Sequence, residues 1–391
     1  GLDQNFNDTD PGRTQRGFKT AVVDEKMNPE ICFTGETTLD SGLTIGVQVE
    51  LDGQLSADYI DEQYLYVTSE QFGKLMLGSA DNAAYQLHVG SPDGGISVDS
   101  GDVLNNSFYV STAIIDLFNT PAGTTFLLNN DNDSQKITYF TPRVYGFQAG
   151  VSYIPKFQPG GGKGNDPNFV AGTNNGQHNG WAGALNFTEE FGDWAVSAYG
   201  GYLWAMQPEV FDADGSPDDL SAYGLGAQVG YSGISVGGAY HRVTSGRVSA
   251  GGPGTVDLGT GTLTQVPANG LAPPTSTSTV AGSGASMKGW SYTAGASYEI
   301  GPYVIGASWL QSETEGSIGD PTNQELRLLA VSGTYRLGPG VRLVGGIFWF
   351  EETAEASRFS GGLGTNPADF VEAGQSDTDG WGGAVGLKIS F

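Results

Sequence analysis

The sequence predicts an all-β protein, an antiparallel transmembrane β-barrel of sixteen strands, of which about fifteen can be read along the chain. Three observations predict it. Segments of about ten residues alternate apolar with small or polar side chains, the connections between them alternate short with long, and aromatic residues recur near both ends of single strands.

From residue 29 onward the alternation is continuous enough to assign faces. Leu43, Ile45, Val47, Val49 and Leu51 share one side, with Thr44, Gly46, Gln48 and Glu50 on the other. Near the C-terminus Trp381, Gly383, Val385, Leu387, Ile389 and Phe391 alternate with Gly382, Ala384, Gly386, Lys388 and Ser390. The first set faces lipid in such a barrel and the second faces the lumen. Tight turns are expected at 40–42, 70–73, 144–146, 190–193, 232–233, 301–302 and 338–340, with longer stretches rich in Gly, Asp, Asn, Pro and Ser between them. Short turns on one side and long loops on the other is the asymmetry of outer-membrane barrels. Trp194 and Trp204, Tyr223 and Tyr231, and Trp290 and Tyr298 fall near opposite ends of single strands on the outward side. Eight to ten tilted residues span roughly 20–25 Å, the height of the apolar band between two aromatic girdles.

Bacterial barrels of one chain need an even number of strands. The reading therefore expects one further strand, upstream of the sequence or formed by residues 18–24, pairing with 380–391 to close a single domain over 1–391.

Composition agrees with this and narrows the function. The chain holds 62 Gly, 17 Tyr and 19 Phe, material for turns and strands rather than for long helices. A formal charge of −26, from 43 acidic and 17 basic residues, suits contact with cations and argues against nucleic acid as a partner. Cys32 is the single cysteine, so there is no disulfide framework and no cysteine zinc cluster. No stretch approaches the length of about 20 apolar residues that a membrane helix requires.

Several stretches carry a family resemblance: 29–46 (PEICFTGETTLDSGLTIG), 60–66 (IDEQYLY), 72–84 (FGKLMLGSADNAA), 136–155 (KITYFTPRVYGFQAGVSYIP) and the closing GAVGLKISF. Together they resemble the alphaproteobacterial branch of the general trimeric porins of the Gram-negative outer membrane. The resemblance implies a homotrimer of sixteen-stranded barrels, each a water-filled channel for passive diffusion of small hydrophilic solutes and ions. It further implies contact with membrane lipid and lipopolysaccharide, no required cofactor, and a third loop folded inward to narrow the pore. Here that loop would be 79–134. A connection of such length inside a compact domain requires an explanation in any case, and the apolar piece at 108–118 would pack poorly in open water. The family's cluster of wall arginines is not matched, since Arg143, Arg242, Arg336 and Arg342 lie near strand ends or turns. Phe391 matches the C-terminal residue read during barrel assembly. A substrate-specific channel, an outer-membrane barrel enzyme and a structural or adhesive barrel are the alternatives.

Within the long loop, Asp81, Asp93, Asp99, Asp102 and Asp116 are the candidates for the pore constriction. Carboxylates in a narrow passage attract cations, because their field is less screened there than in bulk water, and a cation-preferring channel is expected. The same residues are also common turn caps. Asp131 and Asp133 in 129–134 (NNDNDS), and Asp212 and Asp214 in 212–219 (DADGSPDD), offer closely spaced oxygens of the kind Ca²⁺ takes, although neither stretch fits the full twelve-residue motif and solvated loops use the same residues. His88, His178 and His241 are dispersed and have no local nucleophile or acid beside them, so no enzyme is expected.

Overall fold

The computed structural model describes residues 30–53, 60–99, 123–125, 131, 133–157, 177–206, 219–245, 247–249, 254–257, 262–265, 284–286, 288–315, 323–355 and 375–390. In chain order the elements are β1 (Glu30–Thr38), β2 (Thr44–Asp52), β3 (Ile60–Ser69), β4 (Gly73–Ser79), α1 (Ala83–Gln86), β5 (Gln135–Phe140), β6 (Phe147–Lys156), β7 (His178–Phe191), β8 (Trp194–Met206), β9 (Leu220–Tyr231) and β10 (Ile234–Ser245). Four short strands follow, β11 (Arg247–Ser249), β12 (Gly254–Asp257), β13 (Thr262–Gln265) and β14 (Gly284–Ser286), and then β15 (Gly289–Ile300), β16 (Tyr303–Thr314), β17 (Gln324–Gly338), β18 (Val341–Glu355) and β19 (Gln375–Ile389).

Fifteen strands form one sheet in sequential order, β1 through β10 followed by β15 through β19. The four short strands pair among themselves as β11 with β14 and β12 with β13. Every pairing in the large sheet is antiparallel, as direct turns between neighbours require. Among the described residues β1 and β19 are its two edges. The expected sixteenth strand at 18–24 lies outside the described residues. The short turns fall where the sequence places them, and Gly146 and Gly233 occupy two of them with φ of 80° and 85°, a region closed to most side chains.

The two faces of the sheet differ as the alternation requires. Val47, Leu65, Leu185, Leu225, Val236, Ile305, Ile347 and Val385 stand exposed on one face, a broad apolar surface of the kind a membrane covers. Aromatic pairs bound it at both heights. Tyr153–Trp181, Tyr223–Tyr240 and Trp290–Tyr292 lie toward the long loops, with centroids 4.9, 6.2 and 5.8 Å apart. Phe147–Phe187, Trp194–Tyr231 and Tyr303–Tyr335 lie toward the short turns, at 4.8, 4.5 and 4.9 Å. These are the two girdles of a membrane-spanning sheet.

The opposite face carries small and polar residues, and the chain after β4 lies on it. Ala83 donates its N–H to Ser152 Oγ on β6, and Gly94 reaches Thr334 on β17. Seven inter-strand gaps make an arc of about 34 Å, whereas eleven residues that begin with a helical turn reach only about 30 Å. The segment takes the chord of a sheet that curls around it. The polar face is therefore the concave one.

Candidate functional site

The segment 80–99 crosses the concave face obliquely to the strands, from Ser152 on β6 to Thr334 on β17, and the wall is built to receive its backbone. A Cβ at Gly226, Gly295 or Gly306 would collide with the backbone of Val89, Pro92 or Asp93 and Gly94, so glycine lets the segment approach three strands closely. Side chains of the wall then satisfy its polar groups. Asn186 Nδ2 donates to Leu87 O at 3.0 Å, Thr334 Oγ1 donates to Gly94 O at 2.8 Å, and Ser332 Oγ accepts from Ile96 N at 3.2 Å. Two apolar clusters fix its ends. Ala83, Ala84, Leu87 and Val89 pack with Ile154, Phe157 and Leu203, while Ile96 and Val98 pack with Leu310, Leu328, Val344 and Phe348.

The base of the loop is a closed node of charge. Asn82 Oδ1 caps α1 by accepting from Ala84 N and Tyr85 N at 2.9 and 3.0 Å, and Asn82 Nδ2 donates to Asp131 Oδ1 at 2.7 Å. Lys136 on β5 pairs with Asp131 Oδ2 at 3.1 Å and also donates to Ala80 O, which ties the outgoing strand to the returning one. Asp131 and Lys136 are both buried. Burial raises the Asp131 pKa, and the Lys136 ammonium and Asn82 amide pull it back down.

Beside that node three further carboxylates converge. Glu62 on β3, Asp81 and Asp133 each place an oxygen so that all three lie within 4.8 Å of one another. Glu62 Oε1 accepts from Asp81 N at 3.0 Å. Burial, reinforced by Glu62 and Asp133, holds Asp81 well above the usual carboxylate range. These three oxygens are chemically able to hold a divalent cation.

Midway along the segment a second node fastens it with neutral donors. Asp99 Oδ1 accepts from Thr125 N at 2.9 Å, and Asp99 Oδ2 accepts from the Thr125 hydroxyl. His88 Nε2 lies 3.0 Å from Thr125 Oγ1 and 4.0 Å from Asp99 Oδ2. Since the hydroxyl donates to Asp99, it accepts from His88, which assigns the proton to Nε2. His241 Nδ1 on β10 donates to Thr124 O at 2.8 Å, and Ser291 on β15 donates to the same oxygen. Burial lifts the Asp99 pKa to about 6 against the Thr125 bonds. Burial, with His241 nearby, pushes His88 down to about 3.

Of the five constriction candidates, Asp81 joins the acidic cluster. Asp93 closes a turn by accepting from Gly95 N at 2.6 Å, Asp99 is 4% exposed with both oxygens engaged, and Asp102 and Asp116 lie outside the described residues. Of the four metal candidates, Asp131 is bound by Lys136 and Asn82, Asp133 stands with Glu62 and Asp81, and Asp212 and Asp214 lie outside the described residues, as does Phe391. Glu62 and Lys136 escaped the sequence reading because their roles arise across strands. At the short-turn end Arg336, Arg342 and Lys388 follow one another across three strands, and Glu299 holds Arg336 through two bonds of 2.6 and 3.0 Å.

A family model described as Gram-negative porin matches residues 2–355. No curated protein is similar enough in sequence to count as a match. Among solved structures, an anion-selective porin from Comamonas acidovorans aligns with a TM-score of 0.54 at 16% identity, over 93% of this chain and 89% of that one. The trimer form of OmpT, an outer membrane protein of Vibrio cholerae, aligns with a TM-score of 0.50 at 14% identity, over 93% and 91% of the two chains. At these identities the likeness speaks for the fold.

Proposed function

The chain belongs to the Gram-negative porin family of outer-membrane channels, and from that premise we propose that it is a passive pore for small hydrophilic solutes and ions, narrowed by 79–134 and preferring cations. The observation that carries this reading is the fastening of 80–99 across the concave face by glycine seats on three strands and hydrogen bonds from two more. A segment so held occupies the bore and narrows it permanently. It does not act as a loose lid.

The sign of the preference rests on side chains. The Comamonas porin is described as anion-selective, so the fold by itself sets no sign. Here Glu62, Asp81 and Asp133 stand together, while the nearby Lys136 is engaged by Asp131. On the neighbouring strand β4, Lys74 sits over the Tyr64 and Tyr66 rings, 5.5 and 5.0 Å from their centroids. The acidic cluster therefore dominates the field at the loop base. Homotrimeric assembly, and contact with lipid and lipopolysaccharide, are part of the same proposal.

Reversal potentials in a potassium chloride gradient across a planar bilayer test the sign. Potassium selectivity is expected, strongest in dilute salt, because the screening length falls from about 30 Å at 0.01 M to about 3 Å at 1 M. It should grow as pH rises above the usual carboxylate range, since the raised Asp81 carboxyl acquires its charge late. Asp81→Asn with Asp133→Asn should reduce it. Chloride selectivity at low salt would overturn the cation preference and place the controlling field in the row Arg336, Arg342 and Lys388.

A further inference from the structure

We propose that the outward face holds a specific seat for lipopolysaccharide, with an acyl chain in a groove over β6–β9 and a lipid A phosphate on Arg242. This deepens the outer-membrane reading and rests on it, because that reading puts the long loops, and so this end of the strands, at the outer leaflet.

The groove is the first observation. A cavity of about 530 Å³ opens on the lipid side of the sheet, walled by Trp181, Tyr202, Tyr223 and Leu225 and floored by Gly183 and Gly200. The glycines make it. A Cβ at Gly200 would already meet Leu225 Cδ2 at 3.3 Å, so glycine there leaves the trough open. An apolar trough in a surface surrounded by lipid fills with hydrocarbon, because water there would forfeit its hydrogen bonds.

The second observation is independent and concerns charge. Arg242 stands on the outward side of β10, next to Tyr223 of β9 and Trp290 of β15 in register, near the long-loop ends of its strands. Among the described residues no carboxylate pairs with it. Glu313, in the same register row, is two strands away and accepts from Asn323 at 2.6 Å. Arg327 shows what a satisfied guanidinium on this face looks like, held by Glu325 and Glu351 at 2.8 Å each. Arg242 is a planar cation with bidentate geometry, left without a counter-ion at the level of lipid headgroups.

Tyr223 joins the two features, since it walls the groove and neighbours Arg242. An amphiphile whose chain lies in the groove brings its headgroup to the guanidinium. In the outer leaflet the phosphorylated, acylated lipid is lipopolysaccharide. The contact is direct, so it requires no bridging divalent cation.

Native mass spectrometry of the purified protein, titrated with diphosphoryl lipid A or its dephosphorylated form, tests the seat. Wild type should favour the diphosphoryl form about tenfold, the size of one charge-assisted hydrogen-bonded contact. EDTA should not change that. Arg242→Gln should abolish the preference and keep the binding of the dephosphorylated form, and Arg242→Lys should restore part of it. Gly200→Leu, whose side chain fills the trough, should weaken binding of both forms. A preference that survives in Arg242→Gln, or binding untouched by Gly200→Leu, would overturn the proposal, as would loss of the preference in EDTA. Bilayer conductance of the same wild-type preparation reports on the channel reading separately, because neither residue faces the bore.

Discussion

Two nodes hold the inward segment, and both bury a carboxylate, but they neutralise it by different means. At the loop base Asp131 meets the Lys136 ammonium at 3.1 Å and the Asn82 amide at 2.7 Å, so a full charge is balanced by a full charge. At the middle Asp99 meets neutral donors, the Thr125 amide and hydroxyl foremost, with a neutral imidazole behind them. Dipoles stabilise an ion less than a counter-ion does, and the buried Asp99 accordingly titrates near 6. The base is thus a staple between opposite charges. The middle is a fastening whose charge state follows pH.

The largest effect should come from breaking the charge balance at the base. Lys136→Met leaves Asp131 buried and uncompensated, which costs about 3–5 kcal/mol for a pair of this kind. The midpoint of thermal unfolding in detergent, followed by circular dichroism, should fall accordingly. Adding Asp131→Asn removes the orphaned charge and should recover most of the loss. A single variant as stable as wild type would mean that the staple contributes nothing, and that the apolar cluster around Ala83 and Leu87 holds the base alone.

The middle node predicts a cancellation. Asp99 rises from 3.8 to about 6, so its contribution is fully present below pH 3.8 and is lost as pH rises through 6. His88 falls from 6.5 to about 3, so its contribution is fully present above pH 6.5 and is lost as pH falls through 3. Between pH 4 and 6 the two slopes oppose each other, each at most about 1.4 kcal/mol per pH unit. The two contributions should therefore cancel over that window, leaving the wild-type slope to other buried carboxylates such as Asp81. Relative to wild type, His88→Gln should make stability fall from pH 4 to pH 6, and Asp99→Asn should make it rise, by about 2–3 kcal/mol in each case. Two profiles parallel to that of wild type would show that neither group changes charge where the geometry says it must.

How far the sequence foresees all this depends on the range of the contacts. Period-two alternation and local turn chemistry fix the strands, which is why the bounds of the long loop, after Ser79 and before Gln135, are legible. What each carboxylate does is not legible, because Asp131 and Asp133 sit two positions apart in one polar stretch and are separated only by tertiary partners, Lys136 for one and Glu62 for the other. Helix α1 has four residues, too few for a helical period, and only Asn82 as a cap hints at it. Gly226, Gly295 and Gly306 read as small lumen residues. Their work as seats appears only when another backbone lies on them.

The smallest effect, and the one that separates the nodes most cleanly, belongs to the Thr125 hydroxyl. It is the link through which His88 and Asp99 sense one another, since it donates to Asp99 and accepts from His88 Nε2. Thr125→Val keeps the shape and deletes the link, leaving a buried carboxylate oxygen and an imidazole N–H without that partner, at a cost of about 1–3 kcal/mol. Because the lost bond favours the ionised carboxylate, the Asp99 pKa should climb further above 6, and the pH at which its contribution is lost should climb with it. Thr125→Ser keeps the hydroxyl and should behave as wild type in that respect. The Lys136–Asp131 staple shares no atom with this link, so combining Thr125→Val with Lys136→Met should give additive losses in unfolding midpoint. Strong non-additivity would show that the segment is released as one unit from both nodes, and that the contrast between a charged staple and a titrating fastening does not survive in the behaviour of the whole loop.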